Sequence, residues 1–119
     1  MILERGDQRI VVTGSSIGGG NIEVVSIDDF DVKFTAIYPT LLIFHADQRG
    51  ILAEMTDIFK HANTNIGYME VDRKSRSGDA LTVIECDEIL DSGFIKTISG
   101  LPDVHRVRLI HLGAKGDRG

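Results

Sequence analysis

The order of the apolar patterns from residue 40 onward constrains the fold of this chain more than any other feature of its sequence. Strands are predicted where short runs are rich in apolar and β-branched residues, and helices where apolar residues recur every three or four positions. The predicted elements are, in chain order, a strand at 40–46, a helix at about 50–63, strands at about 65–73 and 80–86, a helix capped by Asp91 or Ser92, and a strand at 104–112. This order, βαββαβ, predicts an α+β, ferredoxin-like fold in which two helices cover one face of a four-stranded antiparallel sheet.

A sheet of this kind offers surface for association with another chain. A domain of roughly 70 residues has a small core, and the arrangement leaves the second face and the edge strands uncovered. Uncovered edge strands carry backbone groups that pair readily with another strand. We therefore expect a homodimer or a partner subunit, and we expect the second face of the sheet to remain open.

The segment before this unit, residues 10–38, is predicted to be rich in β-structure. Alternate residues within 22–27 are predicted to face opposite sides of a strand, and Asp28 and Asp29 suit a hairpin turn. The glycine-rich stretch from Gly14 to Gly20 is interpreted as a turn. A phosphate cradle requires a helix directly after such glycines, and here a strand follows, so a nucleotide site is not expected.

Composition excludes several classes of function. The net charge is −5 and no stretch of lysine and arginine is dense enough for nucleic-acid binding. The apolar runs are far shorter than a membrane span, and the first residues do not have the charges of a signal peptide, so we expect a cytoplasmic protein. The one cysteine, Cys86, cannot alone hold an iron–sulfur cluster or a structural zinc. We expect neither a catalytic constellation nor a metal site in this chain.

Two stretches of residues 40–112 resemble an ACT domain, the small regulatory module of amino-acid metabolism. They are HADQRGIL at the first strand-to-helix junction and ANTNIGYME at the start of the second strand. Both resemble signatures of the serine-binding domain of phosphoglycerate dehydrogenase. The resemblance implies that His45, Asp47 and Asn65 lie where serine is held. Asp47 replaces an amide and Arg49 replaces a proline, and the extra carboxylate would attract the ammonium group of an amino acid but repel its carboxylate.

These signatures define a predicted ligand site at the first strand-to-helix junction. Backbone amides at the start of a helix suit a carboxylate, and a second copy could close a pocket at the sheet edge. The predicted ligand-binding residues are His45, Asp47, Arg49, Gly50, Ile51, Asn65 and Ile66. Structural alternatives stay open, because His45 can be a satisfied core residue, Asp47 can cap the helix and Asn65 can serve the turn.

The first part of the chain resembles a narrower family. VTGSSIGGGNIEVVSIDDF resembles the end of the β-subunit core of iron–sulfur L-serine dehydratases, which convert L-serine to pyruvate and ammonia. The resemblance implies that residues 1–38 end an accessory, allosteric substrate-binding-like domain, that 39–112 form the ACT domain and that 113–119 are a disordered tail. It also implies L-serine as ligand, a catalytic α subunit or domain as partner, and a 4Fe–4S cluster outside this chain.

Two other functions remain open from the sequence. The ACT unit can serve only as a dimerisation or assembly module with an empty pocket. The chain can also be the regulatory tail of a phosphoglycerate dehydrogenase, which predicts a nucleotide-binding domain upstream.

Overall fold

The computed structural model describes residues 2–5, 8–18, 21–35, 37–74, 78–88 and 90–110. The described strands form two antiparallel sheets, with strand orders β1-β2-β3-β4 and β6-β7-β5-β8. We call them the N-terminal sheet and the C-terminal sheet. The elements are β1 (Ile2–Arg5), β2 (Gln8–Gly18), β3 (Asn21–Ile27), β4 (Phe30–Phe34), β5 (Thr40–Ala46), α1 (Ile51–His61), β6 (Ile66–Arg73), β7 (Asp79–Cys86), α2 (Ser92–Ser99) and β8 (Val104–Ile110).

The C-terminal sheet and its helices have the predicted βαββαβ arrangement. Ile51, Met55 and Phe59 recur at four-residue spacing, so α1 presents one apolar stripe to the sheet. Helix α2 begins after Asp91, whose carboxylate accepts a hydrogen bond from the Phe94 amide at 2.8 Å, and it packs Ile98 into the same core. Both helices cover one face of the sheet. The predicted α+β, ferredoxin-like fold is confirmed.

The second face of the C-terminal sheet is covered by the N-terminal sheet, so the prediction that this face remains open is wrong. Leu42, Phe44 and Val83 lie in one buried cluster with side chains of β2, β3 and β4. The cause is visible in β5, whose residues from Thr40 to His45 are all buried. A strand that is buried on both faces is a continuous apolar run, whereas a strand with one solvated face alternates. The continuous apolar run TLLIF is therefore the sequence feature that is typical of a strand covered on both faces.

Strict alternation is also wrong for β3. Val24 and Ile27 are both fully buried although they lie three positions apart, because the register between β3 and β4 shifts between Val24 and Ser26. The predicted turn from Gly14 to Gly20 is mostly strand, since β2 continues to Gly18. Gly19 and Gly20 lie outside the described residues. A methyl group at Gly14 would come within 2.5 Å of the Ile22 side chain, so the glycine permits close packing between β2 and β3.

Side chains of β6 and the residue after it bind the backbone of the edge strand β4. We call this set, Tyr68, Glu70, Asp72 and Lys74, the β6 clamp. Its carboxylates accept hydrogen bonds from amides of the β4 edge, and its phenol and ammonium groups donate to carbonyl groups there. The contacts are Asp31 N to Asp72 Oδ2 at 3.0 Å, Lys33 N to Glu70 Oε1 at 3.0 Å, Tyr68 Oη to the Lys33 carbonyl at 3.2 Å, and Lys74 Nζ to the Asp29 carbonyl. The clamp thus satisfies backbone groups that an edge strand otherwise exposes.

The hairpin turn at Asp28 and Asp29 is confirmed, and Asp28 makes a second link between the sheets. Its φ is 52°, in the left-handed region that aspartate tolerates. Its carboxylate accepts hydrogen bonds from the Val11 amide at 2.8 Å and from Arg106 Nη2 at 3.2 Å. The Arg106 guanidinium lies 4.3 Å from the centre of the Phe44 ring. The predicted domain boundary after residue 38 thus falls between two sheets that share a core, and the domain assignment stays a prediction.

Residues 111–119, including the tail predicted at 113–119, lie outside the described residues. Among the helices that the structure describes, none has the length and apolar character needed to cross a membrane.

Candidate functional site

The junction between β5 and α1 forms a polar corner held by backbone hydrogen bonds. The Ala46 amide donates to the Asp103 carbonyl at 2.8 Å and the Asp47 amide donates to the Gly78 carbonyl at 2.7 Å. The chain then turns into α1 through Gly50, whose φ of 83° favours glycine. These bonds fasten the loop to the start of β8 and to the β6–β7 turn. The corner is therefore positioned by two separate parts of the C-terminal sheet.

Asp47 at this corner forms an ion pair with Arg73, the last residue of β6. Arg73 Nε lies 2.8 Å from Asp47 Oδ2, and the side chains are 53% and 22% exposed, respectively. The alternative role of Asp47 as the cap of α1 does not apply, because the N-cap residue is Gly50 and no side chain makes a capping hydrogen bond there. Arg73 was not among the predicted site residues. It lies 26 positions from Asp47 in the chain, and no local pattern indicates the contact.

His45 precedes the corner and is fully engaged in the core. Its side chain is 1% exposed, with Nδ1 2.7 Å from the Ala46 carbonyl oxygen and Nε2 2.7 Å from the Thr82 hydroxyl. Because a carbonyl only accepts, Nδ1 carries a proton, and in the neutral ring Nε2 accepts from Thr82. His45 thus has the features of the structural alternative, a buried core residue whose ring nitrogens are both satisfied. A ligand could contact the ring only after displacing one of these bonds.

Asn65 and Ile66 lie at the opposite end of α1. Asn65 Nδ2 donates to Asp87 Oδ2 at 2.7 Å, and the Asp87 amide donates to the Asn65 carbonyl at 3.2 Å. Ile66 packs partly buried beneath the helices. The 11 residues of α1 span roughly 16 Å at the rise of an α-helix. A single chain therefore does not bring Asn65 to Asp47, and a pocket with both residues requires a second copy.

The other predicted residues surround the start of α1. Arg49 and Gly50 are exposed, whereas Ile51 is buried. The Ile51 amide donates to the Gln48 carbonyl at 3.3 Å, so this amide is already engaged within the loop. The predicted role of the helix amides in binding a carboxylate therefore concerns Arg49 and Gly50 more than Ile51.

Outside the corner, perturbed side chains point to packing rather than chemistry. Burial, together with the nearby carboxylates of Glu88 and Asp87, raises the pKa of the Cys86 thiol from its ordinary 9.0 to about 12. The thiol therefore stays protonated at neutral pH, which makes Cys86 a poor nucleophile or metal ligand. In the part of the chain that the structure describes, no three histidine, cysteine or acidic side chains are grouped as metal ligands.

A separate groove of about 500 Å³ lies between α1 and α2. Ile58, His61, Asp91 and Phe94 are among the residues that line it. None of the predicted site residues lines this groove.

The chain is similar to curated proteins of two kinds, L-serine dehydratase β chains and D-3-phosphoglycerate dehydrogenases. The chain is 34% identical over 107 residues to the probable L-serine dehydratase β chain of Bacillus subtilis, across 90% of this chain and 48% of that protein. It is 26% identical over 96 residues to the L-serine dehydratase β chain of Peptoniphilus asaccharolyticus, across 81% and 43%. It is 31% identical over 104 residues to D-3-phosphoglycerate dehydrogenase of Bacillus subtilis, across 85% and 19%.

The predicted resemblance to the β chain of L-serine dehydratase is confirmed by these matches. The chain spans about half the length of the dehydratase β chains that it matches. No protein-family model matches the chain.

Proposed function

We propose that this chain is the amino-acid-binding regulatory part of an L-serine dehydratase, that its ligand is L-serine, and that it carries no catalytic residue. The observation that carries the proposal is the 34% identity to a dehydratase β chain over 107 residues, which spans both sheets. The polar corner supports it, because Asp47 and Arg73 place a carboxylate and a guanidinium side by side where the signatures predict a ligand.

The proposed pocket lies between two copies of the chain. Asp47 and Asn65 are at opposite ends of α1, so one copy supplies the Asp47 corner and the other supplies Asn65. A homodimer through the C-terminal sheets is therefore part of the proposal. A ligand that binds two dimer arrangements with unequal affinity shifts the equilibrium between them, which is how the unit would regulate an attached enzyme.

The catalytic centre is proposed to lie in another domain or in an α subunit. A 4Fe–4S cluster is held by cysteine thiolates. This chain has one cysteine, which is buried and has its pKa raised to about 12. The residues of this chain therefore do not fit the cluster, and its ligands would come from the partner.

The strength required of the site is modest. A dissociation constant of 1 mM corresponds to about −4.1 kcal/mol. Hydrogen bonds that involve charged groups contribute about 1.5–3 kcal/mol each. Two or three such bonds from Asp47, Arg73 and Asn65 are enough for a regulatory metabolite at millimolar concentration.

Isothermal titration calorimetry of the chain with L-serine tests the proposal. We expect saturable heat with a dissociation constant at or below the millimolar range, and loss of that heat in Asn65→Ala. Thr97→Ala, on the exposed side of α2, is the matched control and should bind as the wild type does. Absence of heat and of any thermal shift at millimolar L-serine would refute the ligand, although not the fold.

A second candidate function is assembly alone. The buried, doubly bonded His45 favours it, because that residue is satisfied without a ligand. Sedimentation velocity separates the two functions. A stable dimer that shows no response to L-serine would support assembly alone, whereas a response that disappears with Asn65→Ala would exclude it.

The third possibility is the regulatory tail of a phosphoglycerate dehydrogenase. The matched region covers 19% of the Bacillus subtilis enzyme of that name. Sequencing of the adjoining coding region distinguishes it, since a nucleotide-binding domain upstream would favour the dehydrogenase.

A further inference from the structure

We infer that Arg73 holds the α-carboxylate of the bound amino acid and that it does so by releasing Asp47, which then holds the ammonium group. This inference rests on the proposed amino-acid site and names how that site recognises its ligand. Asp47 alone would repel a carboxylate, and Arg73 removes this objection by placing a positive group 2.8 Å from it. An α-amino acid carries the same two charges, so it can replace each partner of the ion pair with its own opposite charge.

The exposure of the pair makes such an exchange feasible. The Arg73 side chain is 53% exposed and that of Asp47 is 22% exposed, so solvent screens their attraction. Exposed ion pairs of this kind contribute little to stability. Opening the pair to admit a ligand that meets both charges therefore costs little. Arginine also suits a carboxylate, because its planar group can donate two parallel hydrogen bonds.

The backbone on both sides of Arg73 is held in place, whereas its side chain is 53% exposed. Asp72 accepts a hydrogen bond from the Asp31 amide, and Lys74 binds the Asp29 carbonyl, so the neighbours on both sides are fastened to β4. The Lys74 amide also donates to the Asp79 carbonyl at 2.9 Å. Only side-chain rotation is then needed to move the guanidinium from Asp47 to a ligand, and a positioned backbone keeps it within reach.

The inference predicts selectivity for ligands that carry both charges. L-serinamide keeps the ammonium group and the hydroxyl but lacks the carboxylate, and L-glycerate keeps the carboxylate and the configuration but has a hydroxyl in place of the ammonium group. Both should bind more weakly than L-serine to the wild-type chain. The ratio of L-serine affinity to L-serinamide affinity then measures the contribution of the carboxylate contact.

Calorimetry with L-serine and L-serinamide on four chains tests the role of Arg73. The chains are wild type, Arg73→Gln, Arg73→Lys and the control Lys60→Gln, which removes an exposed positive charge from the last turn of α1. Arg73→Gln should weaken L-serine binding by about 10- to 100-fold, the usual effect of removing one charged hydrogen-bond partner. Its binding of L-serinamide should be unchanged, because that ligand has no carboxylate for Arg73 to hold.

The controls separate this role from a structural one. Lys60→Gln should keep the wild-type ratio, and Arg73→Lys should recover part of it by restoring the charge. A ratio that stays at the wild-type value in Arg73→Gln, with L-serine still bound, would overturn the inference and leave the proposed amino-acid site intact. Failure of the wild-type chain to bind L-serine would overturn both. A thermal melt of each variant confirms that the chain is folded.

Discussion

Replacing Val83 by alanine should destabilise this chain much more than the same change at Val71. Val83 lies in β7, is 0% exposed and faces the N-terminal sheet. Val71 lies in the neighbouring strand β6 of the same sheet and is 36% exposed. Both changes remove the same two methyl groups from a strand residue. The difference between them therefore reports on how fully Val83 is buried beneath the N-terminal sheet.

The magnitude follows from burial. Each fully buried methyl group contributes about 0.8 kcal/mol, so Val83→Ala loses about 1.6 kcal/mol of transfer free energy. The cavity that remains in a packed core adds to this loss, and we expect about 2–3 kcal/mol in total. Val71 loses less transfer free energy and leaves no closed cavity, so we expect about 1 kcal/mol or less there.

Urea unfolding followed by far-ultraviolet circular dichroism measures both values, since the chain has no tryptophan to follow by fluorescence. With a slope of about 1–3 kcal/mol per molar urea, the unfolding midpoints of the two variants should differ by about 1 M. Equal midpoints would refute the reasoning. They would mean that β7 is not covered on that face and that the two sheets do not share a core.

Two further predictions concern α2 and Cys86. Asp91→Ala removes the N-cap of α2 and should reduce the free energy of unfolding by about 1 kcal/mol. Ser92→Ala, one residue later, should change that free energy little. Equal effects of the two changes in urea unfolding would argue against the cap. The Cys86 thiol should react with a thiol reagent at pH 8 only after the chain unfolds, because burial raises its pKa to about 12. An unfolded thiol ionises near pH 9 and the folded one only near pH 12, so stability should fall as the pH rises through that window. Cys86→Ala should remove this part of the pH dependence, and an identical pH profile in the variant would contradict the assignment.

The local part of the candidate site was predictable from sequence, and the contact across space was not. Asp47 and Gly50 were predicted to lie between a buried strand and a helix, and His45 at the end of that strand, which is a local pattern. Arg73 was missed because a charged residue at the end of a strand has no feature that connects it with a loop 26 residues earlier. Its contact with Asp47 depends on the pairing of β6 with β7, which places the end of β6 beside the corner.

The same distinction applies to the register of the N-terminal strands. Alternation in residues 22–27 predicted a strand correctly but assigned its faces incorrectly after Val24. The bulge there arises because β3 must match β4 while both Val24 and Ile27 reach the shared core. A pattern of period two cannot reveal where a partner strand will force an extra residue.

The sequence by itself determined the turn at Asp28 and the order of elements from residue 40 to residue 110, because turn residues, helix caps and the periodicities of helices and strands are set by residues close together in the chain. Only the tertiary structure decided what covers the second face of the C-terminal sheet and which group pairs with Asp47. Those outcomes depend on which distant segments come together when apolar surface is buried. The apolar run of β5 indicates that both faces of the strand are buried, but it does not indicate which segment covers the second face.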